Sequence, residues 1–173
     1  PTSVLIDVAG AEVVFLRDHA VTWQARTQVG RPARPTPLLR SRITHLTLNP
    51  TWTIPPTILK EDKLPELRRD AAGYLAANHM QVIAYDGNPV DPRGVDWERP
   101  GRVMIRQSAG AHSPLGKVAI RFPNPFSVYL HDTPSQRLFD NLPRLFSSGC
   151  VRIERVTEPV SYTHLTLPTS DLV

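Results

Sequence analysis

Along its first fifty residues the chain alternates apolar and polar positions with a period of two. Val4-Leu5-Ile6, Val13-Val14-Phe15-Leu16 and Val21-Thr22-Trp23 are β-rich runs separated by Ala9-Gly10 and Asp18-His19. Ile43-Thr44-His45-Leu46-Thr47-Leu48 is a further alternating run, closed by Asn49-Pro50. Side chains that alternate faces in this way line half-buried strands, so the pattern predicts a meander of short strands. The period changes at Glu61, where Leu64, Leu67, Ala71, Leu75 and Ala76 fall near helical spacing and predict a helix to about Asn78. A polar loop bearing Pro and Gly follows from Asp86 to Pro100. Strands resume at Val103-Met104-Ile105, Val118-Ala119-Ile120 and Val128-Tyr129-Leu130. The expected architecture is mainly β, with residues 57–101 inserted as a helical and loop subdomain.

Composition sharpens this picture in two places. Eighteen Pro against nine Gly cut the 173 residues into short segments and argue against long helices. No stretch approaches the roughly 18 apolar residues of a membrane span, so no span is expected. The chain begins at Pro1 without a signal region, which suggests a piece of a longer protein whose export signal lies upstream. A net charge of +4 suits an anionic partner such as nucleic acid, a membrane surface or cell wall. Arg17, Arg26, Arg31, Arg34, Arg40 and Arg42 are spread out, however, and no zinc-finger, RNP or basic-helix pattern accompanies them, so nucleic acid is not supported. Thr44–Leu48 recurs as Thr163–Leu167, which is no structural repeat. With Pro159 and Pro168 interrupting any helix there, residues 1–159 are expected to form the domain and 160–173 an atypical, non-native tail.

The lone cysteine carries the chemistry. A single Cys forms no internal disulfide, and by count alone it is more often a small buried hydrophobe than a reactive thiol. Its neighbours in Ser147-Ser148-Gly149-Cys150-Val151-Arg152 reverse that judgement. Gly149 lets a carbonyl approach the sulfur, and a tight Ser-Gly turn aims backbone N–H groups at a developing oxyanion. A thiol attacks as thiolate and needs a base. His131 sits where the run Val128-Tyr129-Leu130 ends in Asp132-Thr133-Pro134, a place where functional side chains are commonly displayed. His19, His45, His79, His112 and His164 have strand, loop or tail contexts. One Cys and scattered histidines lack metal-ligand spacing, so neither a metal nor a cofactor is expected.

His131-Asp132-Thr133-Pro134, Phe139 and Ser147-Ser148-Gly149-Cys150-Val151-Arg152 together resemble the signature of the L,D-transpeptidase catalytic domain of YkuD type. Fifteen residues separate His131 from Ser147, as that signature requires. Val29-Gly30-Arg31-Pro32, Asn49-Pro50-Thr51-Trp52, Leu115-Gly116-Lys117 and Phe122-Pro123-Asn124 extend the likeness over roughly residues 3–155. Residues 60–98 are similar to the capping insertion of the family's larger, YcbB-like periplasmic branch. Ser148 and Arg152 also follow that branch, where many other members carry a second His and an Asn.

The resemblance implies a β-sandwich or barrel-like scaffold with an inserted capping subdomain, acting as a monomer in the periplasm or cell envelope. It implies a cysteine acyltransferase whose partners are peptidoglycan stem peptides. Cys150 attacks a donor tetrapeptide, D-alanine leaves, and an acceptor stem amine completes a 3–3 cross-link. His131 is then the base, and the N–H groups of Gly149 and Cys150 are the candidate oxyanion donors. Ser148 and Tyr129 are candidates for lining the substrate, with ordinary turn and strand packing as their plainer roles. Arg152 is a candidate for a substrate carboxylate, against an ion pair with Glu154 or Asp132. An L,D-carboxypeptidase or cross-link hydrolase on the same scaffold, or a non-catalytic wall-binding module, stands as the alternative.

Overall fold

The computed structural model describes residues 2–164, and it divides into two compact units. One is built from the residues up to Asn49 and from Pro114 onward, the other from Pro50 to Ser113. The first opens with an antiparallel hairpin of β1 (Thr2–Asp7) and β2 (Glu12–Arg17). Asp7 Oδ1 accepts the N–H groups of Ala9 and Gly10, each at 3.0 Å, and closes the turn as Asx residues do. A second reversal at Asp18 and His19, both left-handed (φ 49° and 68°), leads into β3 (Ala20–Gly30). Two such residues between strands match the twist of a hairpin.

β3 is the element that joins hairpin to site. Its first part, Ala20–Arg26, pairs with β2. Thr27 and Gln28 then pair with Ile153 and Arg152 of β11 (Val151–Ile153), and its end runs parallel to β10 (Leu145–Ser147). β11 lies parallel to β9 (Leu130–His131). β9 is antiparallel to β8 (Val118–Arg121), and β8 to β4 (His45–Leu48). The order β1-β2-β3-β11-β9-β8-β4, with β10 on β3, gives eight strands in a mainly β sheet that curls into a half-barrel. Val29, Val118, Ile120, Leu130, Val151 and Ile153 belong to one buried apolar cluster with Val13 and Phe15. Strand residues alternate faces, so Gln28, Ala119, His131 and Arg152 fall on the opposite face of the same sheet.

Behind β11 the chain forms α3 (Thr157–His164). Pro159 was expected to interrupt a helix here. Instead it lies in the first turn, where a missing N–H costs no intrahelical bond. The rest of the expected tail, 165–173, lies outside the described residues.

In the second unit, β7 (Val103–Gln107) is central between β5 (Trp52–Thr53) and β6 (Met80–Ala84). Val103-Met104-Ile105, read from sequence as the main scaffold resuming, therefore belongs to a separate three-stranded sheet. Local alternation marks a strand, but its partner is chosen by long-range packing. The helical stretch also begins earlier than its periodicity suggests. It passes from α1 (Pro56–Ile58) through one π-helical turn, Leu59–Lys63, into α2 (Leu64–Ala77). α2 breaks at Asp70 (φ −157°, ψ 84°), whose Oδ1 accepts the Gly73 N–H at 2.9 Å and so caps the second half. Ile54, Leu64, Leu67, Leu75, Val82 and Ile105 form this unit's own buried core, with Trp52 packed against it. Among the described residues no helix is long and apolar enough to cross a membrane.

Candidate active site

The site is laid out by sheet register. Arg152 pairs laterally with His131 and with Gln28, and His131 with Ala119. Extended one step along the same face, the register sets Cys150 beside Tyr129 and Tyr129 beside Arg121. The Tyr129 carbonyl accepts the Val151 N–H at 3.1 Å, which ties the two chain segments together just below the sulfur. Tyr129 and His131 stand two apart on this face, their ring centroids 5.6 Å apart. Thus Cys150, His131, Tyr129 and Arg152 are all brought to one surface.

Cys150 sits in a turn built for a glycine. Gly149 has φ 114°, a conformation that L side chains rarely adopt, and little space limits it otherwise, since an added Cβ would meet only Val128 Cγ1 at 3.5 Å and Pro35 O at 3.8 Å. Ser147 Oγ donates to the Cys150 carbonyl and accepts the Gly149 N–H at 3.1 Å. That bond occupies the Gly149 donor and leaves the Cys150 N–H without a partner among the described residues. Ser148 is held from outside, its Oγ accepting Arg34 Nη1 at 3.1 Å.

The segment after β3 walls the turn. Thr36 Oγ1 accepts the Gly30 N–H at 2.9 Å and donates to the Gly149 carbonyl at 2.8 Å. A Cβ at Gly30 would lie 2.3 Å from Arg34 O, so only glycine lets this segment close down on the site. In the sequence Gly30 was only part of a likeness and Arg34 one of several scattered arginines, and neither had a role. No local signal shows that a loop more than 110 residues away will bond to the cysteine turn.

His131 is 4% exposed. Its Nδ1 hydrogen-bonds the Asp132 carbonyl. A carbonyl only accepts, so Nδ1 carries the proton and Nε2 is left as the basic nitrogen. Burial holds the imidazole pKa down at about 3, helped by the positive charges of Arg152 and Arg121 and opposed by the Asp132 bond. Burial likewise pushes the Cys150 thiol above its ordinary value, against a backbone hydrogen bond at Tyr129 and the same two arginines. At rest the thiol and the imidazole are therefore both neutral.

Arg152 forms neither ion pair weighed from sequence. Glu154 bonds Arg26 at 2.7 Å, and Asp132 Oδ2 accepts the Lys117 N–H at 2.8 Å. Arg152 Nη1 instead donates to Gln28 Oε1 at 3.1 Å, while its Nε is buried without a partner among the described residues. A feature absent from the sequence reading is Arg121, whose guanidinium lies 4.0 Å over the Tyr129 ring. A cavity of about 450 Å³ lined by Val4, Ile6, Leu38, Phe122 and Leu130 includes neither Cys150 nor His131 among its walls. Among the described residues no three His, Cys, Asp or Glu side chains converge as a metal site would need.

The chain belongs to the family of L,D-transpeptidase catalytic domains of the YkuD type, whose family model matches residues 1–164. It is 34% identical over 155 residues to a Haemophilus influenzae protein named provisionally as an L,D-transpeptidase. That match covers 88% of this chain but 31% of the relative, so the chain spans about a third of that protein's length. Among solved structures it is similar to the catalytic domain of an E. faecium L,D-transpeptidase acylated by ertapenem, at 15% identity and a TM-score of 0.47. That alignment covers 88% of this chain and 80% of the other. An L,D-transpeptidase from Mycobacterium smegmatis gives 13% identity and a TM-score of 0.47, over 94% of this chain and 53% of that one.

Proposed function

We propose that this chain is a cysteine acyltransferase that forms 3–3 peptidoglycan cross-links through a thioester on Cys150. The family as a whole acts on peptidoglycan stem peptides. The single observation that most supports the reading is the register that sets the Cys150 turn against β9, together with a His131 whose Nδ1 is committed to Asp132. An imidazole fixed in that tautomer offers Nε2 as a general base. Residues 57–101, within the second unit, take the part of the family's capping insertion in this proposal, and the cell envelope is the place of action.

The chemistry follows from the neutral pair. As Sγ attacks the carbonyl of the third residue of a donor tetrapeptide, the thiol proton passes to His131 Nε2. The Cys150 N–H meets the resulting oxyanion. Collapse breaks the peptide bond, the imidazolium returns its proton to the departing D-alanine amine, and a thioester remains. An acceptor amine then attacks the thioester, gives its proton to Nε2, and expels the thiolate, which is reprotonated. Because His131 resists protonation at rest, proton transfer belongs to the attack itself and not to a preformed thiolate–imidazolium pair.

Products formed from a disaccharide-tetrapeptide, separated and weighed by mass spectrometry, test this. The expected product is a dimer short of one D-alanine, absent in Cys150→Ser and His131→Ala proteins that keep the native circular dichroism. Tripeptide alone would move the assignment to a carboxypeptidase. Full activity in either variant would sink the mechanism.

A further inference from the structure

Two cations face the sulfur and the imidazole, and neither has an acidic partner among the described residues. Glu154, the nearest carboxylate in sequence to Arg152, is taken by Arg26, which also binds Asp140 at 2.9 Å. Asp132 faces the other way, onto the Lys117 N–H. Arg152 is half-buried with an unpartnered Nε and a single neutral contact to Gln28. Arg121 is half-buried too, and its side chain has no hydrogen bond or ion pair among the described residues; it rests on the Tyr129 ring. An unpaired guanidinium taken partly out of water is costly unless something anionic comes to it. The ring contact, 4.0 Å from Cζ to the Tyr129 centroid, leaves the Arg121 N–H groups without a partner among the described residues, and the N–H edge of a guanidinium is what grips a carboxylate in two places.

Register places both cations around one point. Arg121 follows Ala119 and Ile120, which pair with His131 and Leu130, so it stands beside Tyr129. Arg152 stands beside His131 on the other flank. Cys150 stands across Tyr129 from Arg121 and two residues before Arg152 on its own strand, so Tyr129 and His131 form the floor between the two cations and the sulfur borders it. Both cations also bias Cys150 and His131 electrostatically, as expected of charges at close range.

We propose that Arg121, together with Arg152, forms a carboxylate-binding subsite beside Cys150 that selects donors carrying a free carboxylate next to the attacked carbonyl. This deepens the acyl-transfer reading and rests on it for the identity of the substrate, where the carboxylate is the C-terminus of the departing amino acid. Arg121 is then a specificity residue, holding the leaving portion in line while the sulfur attacks.

The subsite has a test that does not require turnover. Iodoacetate and iodoacetamide alkylate a thiol by the same step, in which sulfur bonds the methylene carbon, iodide leaves and the thiol proton passes through the base to solvent. They differ in one negative charge. The ratio of their rates at Cys150, divided by the same ratio for a free thiol in solution, cancels thiol ionisation and reads the subsite alone. We expect that quotient to be about ten or more in the unmodified protein, the effect of one charge-assisted contact. It should fall severalfold in Arg121→Gln, with Arg152 keeping the remainder, and hold in Arg121→Lys, which keeps the charge. A quotient near one in the unmodified protein, or one unchanged by Arg121→Gln, overturns the subsite. If Arg121→Gln does not fold, the unmodified protein and Arg121→Lys still decide. In the donor reaction, kcat/KM for the free-acid tetrapeptide should fall at least tenfold in Arg121→Gln while that for its C-terminal amide holds. An equal fall for both would make Arg121 merely structural. No product from either donor, with the alkylation preference intact, refutes acyl transfer but not the subsite.

Discussion

Acidification from about pH 7 to about pH 4.5 offers a direct measure of what burying His131 costs, because only the folded state resists protonating it. In the unfolded chain an imidazole titrates near 6.5; in the folded protein His131 is held at about 3. Between those values the unfolded state binds a proton that the native state does not, so stability falls as pH falls. The loss begins near 6.5 and is complete only below 3. At about 1.4 kcal/mol for each pH unit, the full effect is roughly 5 kcal/mol, and at pH 4.5 about 3 kcal/mol is already gone. Urea unfolding, followed by far-ultraviolet circular dichroism at a series of pH values, measures it. Glu154, whose carboxyl Arg26 holds below its ordinary value, loses stability in the same direction. The informative quantity is therefore the difference in slope between the unmodified protein and His131→Gln. The variant has nothing to protonate at that position, so its slope should be shallower by nearly one proton between about pH 4 and 6. Parallel curves would mean that His131 charges freely in the native state, and with it would go the argument for a neutral resting pair.

Two further outcomes follow from the packing around the site. Gly149→Ala forces a side chain into φ 114° without a serious clash, so it should cost about 1–3 kcal/mol in urea unfolding, or relax the turn and slow Cys150 alkylation. A variant as stable and as reactive as the parent would show that the turn tolerates ordinary backbone. Arg144 is 8% exposed and donates to the carbonyls of Thr27 at 3.0 Å, Ala11 at 3.0 Å and Gly10 at 3.2 Å, pinning the β1–β2 turn to β3. Arg144→Ala takes a donor from each of these carbonyls, of which Ala11 keeps the Thr27 N–H at 2.8 Å, and should lower stability by roughly 2–4 kcal/mol, with the loss seen in urea unfolding. A change under about 0.5 kcal/mol would mean that water replaces the guanidinium at no cost.

The strands β1, β2, β4 and β8 could be read from short β-rich runs set between turn residues, because branched and aromatic side chains suit a packed, pleated surface. The stretch holding α2 could be read too, although its π-helical entrance and the break at Asp70 left no trace in the periodicity. β11 and β10 are three residues each, too short to show a period, and the strand read at Val128–Leu130 overlaps the two-residue β9 at Leu130. Val103–Ile105 looked like any other strand, and only its pairing with Met80–Ala84 placed it in the second unit.

By itself the sequence singled out the residues proposed to carry the chemistry. A lone thiol flanked by Gly and Ser, with a histidine fifteen residues before that turn, is a local pattern, and its meaning lies in residue type and spacing. Only the tertiary structure decided what surrounds them. That Gln28, Arg152, His131 and Ala119 form one row follows from the pairing of β3, β11, β9 and β8, strands separated by up to a hundred residues or more of chain. The tautomer of His131, the closure of Thr36 over the cysteine turn and the stacking of Arg121 on Tyr129 depend on that register in turn. A one-residue slip in any pair would send these side chains to the other face. The buried apolar face held by Val29, Ile120, Leu130 and Val151 is what forbids the slip.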